Sequence, residues 1–148
     1  MANGQNILNK GMTQLGKPYV YGILVDKTDP KPKAFDCAEF ASWCVYQAAK
    51  ILFGVDQHTD PHTADAYTGY WLADAKRLGT FISVAEAKTI AGAFILRFGV
   101  QGLGGHIVIS DGDGGTVEAH SHVDGVIQGK VSDSRQFNYG ILVPGIEY

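Results

Sequence analysis

Cys37 has the setting in this chain that most favours covalent chemistry. Asp36 precedes it and Glu39 lies three residues after Asp36, which is the spacing of a capping box at a helix start. Cys37 is therefore predicted to be the first residue of a helix. Backbone N–H groups and the positive end of the helix dipole favour a thiolate there, which predicts a lowered pKa. Free cysteine is also often a small buried apolar residue, and that alternative stays open.

Two histidines lie where a β-hairpin would bring them together. Residues 111–115 read Asp-Gly-Asp-Gly-Gly, a strong hairpin turn. A hairpin centred on Asp113 places His106 opposite His120, and opposed residues share a face of the sheet. A nucleophilic cysteine needs an imidazole to share its proton and a third group to hold that imidazole. Cys37, His106 and His120 supply one candidate for each role.

A second hairpin register changes the third candidate. His122 lies two residues beyond His120, so alternation puts both on one face if the strand continues. A turn centred on Gly114 would pair His106 with His122 instead. We expect the register centred on Asp113.

The elements that must position these residues change in character along the chain. Apolar residues at helical spacing predict three helices, at 6–15, 37–53 and 63–78. Later β-prone runs between glycine-rich breaks predict strands at 94–98, 106–110, 116–120, 126–131 and 139–143. Helices followed by an antiparallel run of strands predict an α+β fold, and the length favours one domain over residues 1–148. Cys44 lies two turns beyond Cys37 and is expected in the core.

Composition argues against several classes of function. The net charge is −3 and no basic run occurs, so neither nucleic acid nor an anionic membrane is an expected partner. No apolar run is long enough to span a membrane. The two cysteines would lie about 10 Å apart on one helix, too far for a disulfide.

Three sequence blocks resemble the NlpC-type bacterial cell-wall cysteine peptidases, which have a papain-like fold. Residues 16–22, Gly-Lys-Pro-Tyr-Val-Tyr-Gly, are similar to a family Gly-x-Pro-Tyr-x-Trp/Tyr-Gly-Gly segment. Residues 35–40, Phe-Asp-Cys-Ala-Glu-Phe, are similar to its Phe-Asp-Cys-Ser-Gly-Leu/Phe block. Residues 105–110 and 117–121 are similar to its histidine strand and the strand that follows.

The resemblance implies a papain-like fold with the cysteine helix packed on a C-terminal antiparallel sheet. It also implies roles: Cys37 is the nucleophile, His106 the general base and His120 the residue that orients it. The expected oxyanion and substrate-binding residues are Tyr19, Asp36 and Glu39. Glu39 stands where the family commonly has glycine, so its carboxylate would either cap the helix, which we favour, or meet a substrate amine.

The implied activity is hydrolysis of an amide bond in a peptidoglycan stem peptide, most often between D-glutamate and a diamino acid. No metal and no organic cofactor is expected, and the oligomeric state is not predicted. The N-terminal residues lack a signal-peptide pattern. We therefore expect synthesis in the cytoplasm and action on the cell wall after delivery or lysis, unless a leader lies outside this sequence.

Three alternatives remain at this point. A CHAP-like N-acetylmuramoyl-L-alanine amidase would use the same residue types. A metal-binding module could draw its ligands from the two cysteines and His58, His62, His106, His120 and His122, although no Cys-x-x-Cys pair is present. A non-catalytic structural component, such as a phage-tail protein with a residual hydrolase fold, is the third.

Overall fold

A computed structural model describes residues 1–148 as four α-helices and six β-strands. The helices are α1 (Gly4–Met12), α2 (Cys37–Ala49), α3 (Thr68–Leu78) and α4 (Val84–Ala87). The strands are β1 (Phe81–Ile82), β2 (Phe94–Arg97), β3 (His106–Ser110), β4 (Gly115–Ser121), β5 (Gly125–Lys130) and β6 (Tyr139–Ile141). A short 3-10 helix, Asp133–Arg135, follows β5. This confirms the predicted α+β class.

The six strands form one antiparallel sheet in the order β1-β6-β2-β3-β4-β5. In the β3–β4 hairpin, Ser110 pairs with Thr116 and Ile109 pairs with Val117. These pairs are those of a turn centred on Asp113, so the predicted register is confirmed. The recorded pairs end at Ile109 and Val117, so the pairing does not extend to His106 and His120.

The cysteine helix α2 begins as predicted, at Cys37. The Asp36 side chain caps it by accepting from the backbone N–H of Glu39 at 2.8 Å. Every residue from Cys37 to Val45 is buried, and the helix packs on β3, β4 and α1. The predicted end at residue 53 is wrong, because Lys50 adopts a left-handed conformation and closes the helix there.

The other two helix predictions need corrected boundaries. Asn3 forms a capping box with Asn6, so α1 starts at Gly4 and ends at Met12, before the predicted 15. The predicted helix at 63–78 begins only at Thr68. Ala66 cannot join it, because its backbone N–H donates at 2.6 Å to the buried carboxylate of Glu39 instead of to a helical carbonyl.

The β3–β4 hairpin has two different faces. Ile107, Ile109 and Val117 belong to the main core under α2. Val108 lies on the other face, in a small cluster with Ile95. No helix in the chain is both long and apolar enough to cross a bilayer.

Candidate active site

A cleft of ≈ 450 Å³ opens at the N-terminus of α2. Five of its fourteen lining residues are aromatic, and the others include two carboxylates and two glycines that precede β3. The lining residues are Tyr19, Tyr21, Gly22, Asp36, Cys37, Ala38, Asp65, Ala66, Tyr67, Thr68, Tyr70, Phe98, Gly104 and Gly105. Three predicted site residues, Tyr19, Asp36 and Cys37, thus meet in one concave site.

The Cys37 thiol lies between the start of α2 and the backbone of β3. Burial, together with the neighbouring Asp36 charge, raises its pKa to about 12, and backbone N–H groups of Ile107, Ala38 and Cys37 itself oppose that rise. The predicted lowering by the helix N-terminus is therefore wrong for the free protein, because desolvation of a thiolate outweighs those donors. The resting group is a neutral thiol beside β3, one residue along from His106.

Tyr19 and Asp36 both lie close to the cysteine. Burial, together with the nearby ionisable groups of Cys37 and Asp36, raises the pKa of Tyr19 to about 12, and the backbone N–H of Cys37 opposes that rise by hydrogen bonding. The phenol is therefore neutral and close to that N–H. Burial also raises the pKa of Asp36 to about 6, against the backbone N–H groups of Glu39 and Gly22.

His106 is held by a carboxylate that the sequence reasoning did not select. Its Nε2 lies 2.9 Å from Oε1 of Glu118, and both side chains are buried. Glu118 follows Thr116 on the same face of β4 and accepts from its hydroxyl. Arg135, at the end of the 3-10 helix, donates from both terminal nitrogens to the same carboxylate.

This network fixes the charge on Glu118. Burial alone would raise the pKa of the carboxyl, but hydrogen bonds from His106, Arg135 and Thr116 lower it to about 2. The group is thus an anion that can only accept hydrogen bonds.

The anion in turn fixes the tautomer of His106. Its Nε2 must carry the proton that is donated to Glu118, which leaves Nδ1 unprotonated in the neutral ring. Burial lowers the pKa of His106, Glu118 raises it, and the Arg135 and Arg97 charges lower it again; the balance is a lowering. His106 is accordingly a neutral imidazole with a free basic nitrogen at pH 7.

His120 does not orient His106, and that part of the predicted site is wrong. The two rings are neighbours, 6.0 Å apart between centroids and nearly perpendicular, yet each bonds elsewhere. Nδ1 of His120 bonds Asp124 at 2.8 Å, and 39% of the His120 side chain is exposed. The cause is a β-bulge between Ala119 and Ser121, which turns this residue outward.

The remaining histidines do not gather at the site. His122 lies beyond the end of β4 in an exposed turn rather than on the strand. His58 bonds Asp74 at 2.8 Å and His62 bonds Asp26 at 3.0 Å. The chain contains no group of three or more His, Cys, Asp or Glu side chains that could hold a metal ion.

Glu39 fulfils neither of its two expected roles. Its carboxylate is completely buried and pairs with the Lys27 ammonium at 2.6 Å. It also accepts from the backbone N–H groups of Val25 and Ala66. Burial raises the pKa of Glu39, and Lys27 opposes that rise. These contacts tie the segments that contain Val25 and Ala66 to α2.

Glu118 and Arg135 are the functional candidates that sequence reasoning missed. The signal for Glu118 was present, because it precedes His120 by two residues and regular strand alternation predicts one face for both. A carboxylate also holds an imidazole better than a second imidazole does. Nothing in the local sequence signals Arg135, which arrives from a separate irregular segment.

Comparison with known proteins adds the fold family. Neither a family sequence model nor a curated protein matches the chain. The NlpC/p60 domain of the peptidoglycan hydrolase SagA superposes with a TM-score of 0.64 at 25% identity, covering 95% of this chain and 99% of that one.

Two mycobacterial structures are similar as well. The peptidoglycan hydrolase RipB from Mycobacterium tuberculosis has a TM-score of 0.67 at 19% identity, covering 98% of this chain and 65% of its own. The p60 domain of an antigen from M. avium subspecies paratuberculosis has a TM-score of 0.65 at 19% identity, covering 98% and 96%. NlpC2 from Trichomonas vaginalis matches over only 45% of its length. The chain therefore has the fold of the NlpC/p60 domains, over nearly its whole length.

Proposed function

We propose that this protein is a peptidoglycan hydrolase, a cysteine endopeptidase that cleaves an amide bond in stem peptides. The observations that carry the proposal are the Cys37 thiol in an open cleft, close to the backbone N–H of Ile107, and the preceding residue of β3, His106, whose tautomer Glu118 fixes. The catalytic group set is then Cys37, His106 and Glu118, with Glu118 in the place first given to His120.

The resting pair is a neutral thiol and a neutral imidazole, because the pKa of Cys37 is raised and that of His106 is lowered. Nδ1 of His106 takes the thiol proton as sulfur attacks the substrate carbonyl. The imidazolium formed is stabilised by the Glu118 anion at Nε2. It then donates its proton to the leaving amine, which leaves a thioester on Cys37.

The developing oxyanion lies at the start of α2. We assign two donors to it: the neutral Tyr19 hydroxyl and the backbone N–H of Cys37, which donates to the Tyr19 oxygen in the resting protein. Water subsequently attacks the thioester with His106 as base, and sulfur leaves as the thiol. The products are one new carboxylate and one new amine.

The cleft suits a peptide that carries amines. Asp36 and Asp65 supply its two carboxylates, and Tyr67, Tyr70 and Phe98 supply apolar walls. A stem peptide with a diamino acid can present its side-chain amine to the carboxylates of Asp36 and Asp65. We therefore assign the bond between D-glutamate and the diamino acid as the preferred one.

Digestion of purified muropeptides followed by mass analysis tests the proposal. We expect stem-peptide fragments with the sugar strand intact, cut after D-glutamate. Release of whole stem peptides from the sugar would instead indicate an N-acetylmuramoyl-L-alanine amidase. New reducing ends without new amines would indicate a glycosidase, and no product at all would favour a non-catalytic role. The matched control is Cys37→Ala, which removes only the sulfur.

A further inference from the structure

Arg135 is held by several hydrogen bonds next to the His106–Glu118 pair. It lies at the end of the 3-10 helix between β5 and β6, outside every sequence block that resembles the family. One terminal nitrogen donates to Oε2 of Glu118 at 2.9 Å and the other donates to Oε1. A second acceptor, the Lys130 carbonyl at 3.0 Å, fixes the guanidinium from the side of β5.

A stack of side chains joins Arg135 to His106. The Arg135 guanidinium lies over the ring of Phe137 at 4.9 Å, and that ring is stacked on His106 with centroids 6.4 Å apart. Arg97 covers the same ring at 5.9 Å and donates to the Arg135 carbonyl at 2.9 Å. Arginine, with its planar fork, suits this combination of bidentate pairing and stacking, whereas lysine does not.

We propose that Arg135 is the positioning residue of the His106–Glu118 pair, holding the carboxylate plane with its fork and biasing the imidazole toward its neutral form with its charge. The catalytic consequence rests on the proposed hydrolase function; the electrostatic consequence does not. Oε1 of Glu118 receives both His106 and Arg135, so rotation of the carboxylate would break both contacts at once.

The groups that face His106 give the direction of the electrostatic effect. Glu118 from β4 raises the pKa of His106, and Arg135 and Arg97 lower it. His120, also on β4, is near but is bonded to Asp124. The Cys37 thiol on α2 is neutral. Loss of the Arg135 charge removes one of the two positive charges that lower the pKa of His106, while Glu118 still raises it. The pKa of His106 should therefore rise.

Two variants separate the charge of Arg135 from its fork. Arg135→Met removes both, so the acidic limb of kcat/KM should move up by about one pH unit and kcat should fall by about 10- to 100-fold. Arg135→Lys keeps the charge and loses the bidentate grip, so the limb should stay near that of wild type while kcat falls about 10-fold. KM should change by less than about twofold in each, because Arg135 does not line the cleft.

The matched control is Arg77→Met. Arg77 lies on α3, is 58% exposed and pairs with Asp74 at 3.3 Å. It should leave kcat and the pH profile unchanged. Thermal melting of each variant verifies that it is folded, and Arg135→Lys still tests the fork if Arg135→Met does not fold.

NMR titration of His106 tests the electrostatic part without any substrate. We expect a higher pKa in Arg135→Met and a nearly unchanged one in Arg135→Lys. A pKa that falls or stays constant in a folded Arg135→Met protein would overturn the inference, as would wild-type kcat in both variants. An inactive wild-type protein would instead refute the proposed hydrolase function, while the titration would still decide the inference.

Discussion

Replacing Glu118 by glutamine measures what the carboxylate contributes to catalysis. The substitution keeps the volume of a side chain that is 0% exposed, so no cavity is created. It removes the charge that His106, Thr116 and Arg135 surround. We expect kcat to fall while KM changes little, since Glu118 acts on the base and not on substrate.

The magnitude follows from one lost charged acceptor. A hydrogen bond to a charged group contributes about 1.5–3 kcal/mol. We take the whole of this energy to stabilise the imidazolium form of His106 in the transition state. Each 1.36 kcal/mol corresponds to a factor of ten in rate, so kcat should fall about 10- to 150-fold. A larger loss would indicate that the wrong tautomer of His106 also accumulates, because a glutamine amide can donate as well as accept.

His120→Ala is the matched comparison. His120 lies two residues beyond Glu118 on β4 but bonds only Asp124, and its side chain is 39% exposed. We expect its kcat to stay within about threefold of wild type, as for other surface substitutions. Turnover of a defined muropeptide, followed by liquid chromatography and mass spectrometry across pH, gives both constants. If His120→Ala were the more damaging change, the assignment of Glu118 as the orienting residue would be refuted.

Four further outcomes follow from the same contacts. Cys37→Ala should abolish hydrolysis without loss of fold by circular dichroism, whereas Cys44→Ser, at a fully buried position, should keep activity and lose about 1–3 kcal/mol in urea unfolding. Lys27→Met leaves a buried carboxylate unpaired and should destabilise the protein by about 3–5 kcal/mol, seen as a lower melting temperature. Because the pKa of His106 is lowered and the base must be neutral, the acidic limb of kcat/KM should lie below the ordinary value of 6.5. The pKa of Glu118 falls from 4.5 to about 2 on folding, so its stabilising contribution is present above pH 4.5 and lost toward pH 2; this acid-induced loss in urea titrations should be smaller in Glu118→Gln.

The sequence sufficed for those parts of the site that depend on local pattern. Asp36 at a helix start predicted the position of Cys37, and the glycine-rich turn around Asp113 predicted the hairpin register. Both depend on residues close in the chain, where capping and turn chemistry decide the conformation.

The missed parts depend on groups that come from distant segments. The bulge at His120 is a small irregularity with no sequence signature, yet it decides which residue of β4 reaches His106. Arg135 joins the site only because β5 and the 3-10 helix return along β4. The raised pKa of Cys37 was missed for a related reason, since burial is set by the whole fold and the helix dipole acts locally.

The pairing of Glu39 with Lys27 illustrates the same point. A capping box looks complete from the sequence, but Lys27 and the backbone N–H groups of two loops compete for the Glu39 carboxylate. Because the carboxylate is buried, the hydrogen bonds from Lys27 and the two backbone N–H groups stabilise it more than a single capping hydrogen bond at the helix start would.

Trapping the covalent intermediate tests the central claim most directly. The wild-type protein is mixed with a purified stem peptide, quenched in acid during turnover and digested for mass spectrometry. The account predicts that the peptide containing Cys37 gains the mass of the acyl fragment N-terminal to the cut, and that Cys37→Ala shows neither the adduct nor product. Continued hydrolysis by a folded Cys37→Ala protein, or an adduct on Cys44 instead, would contradict it.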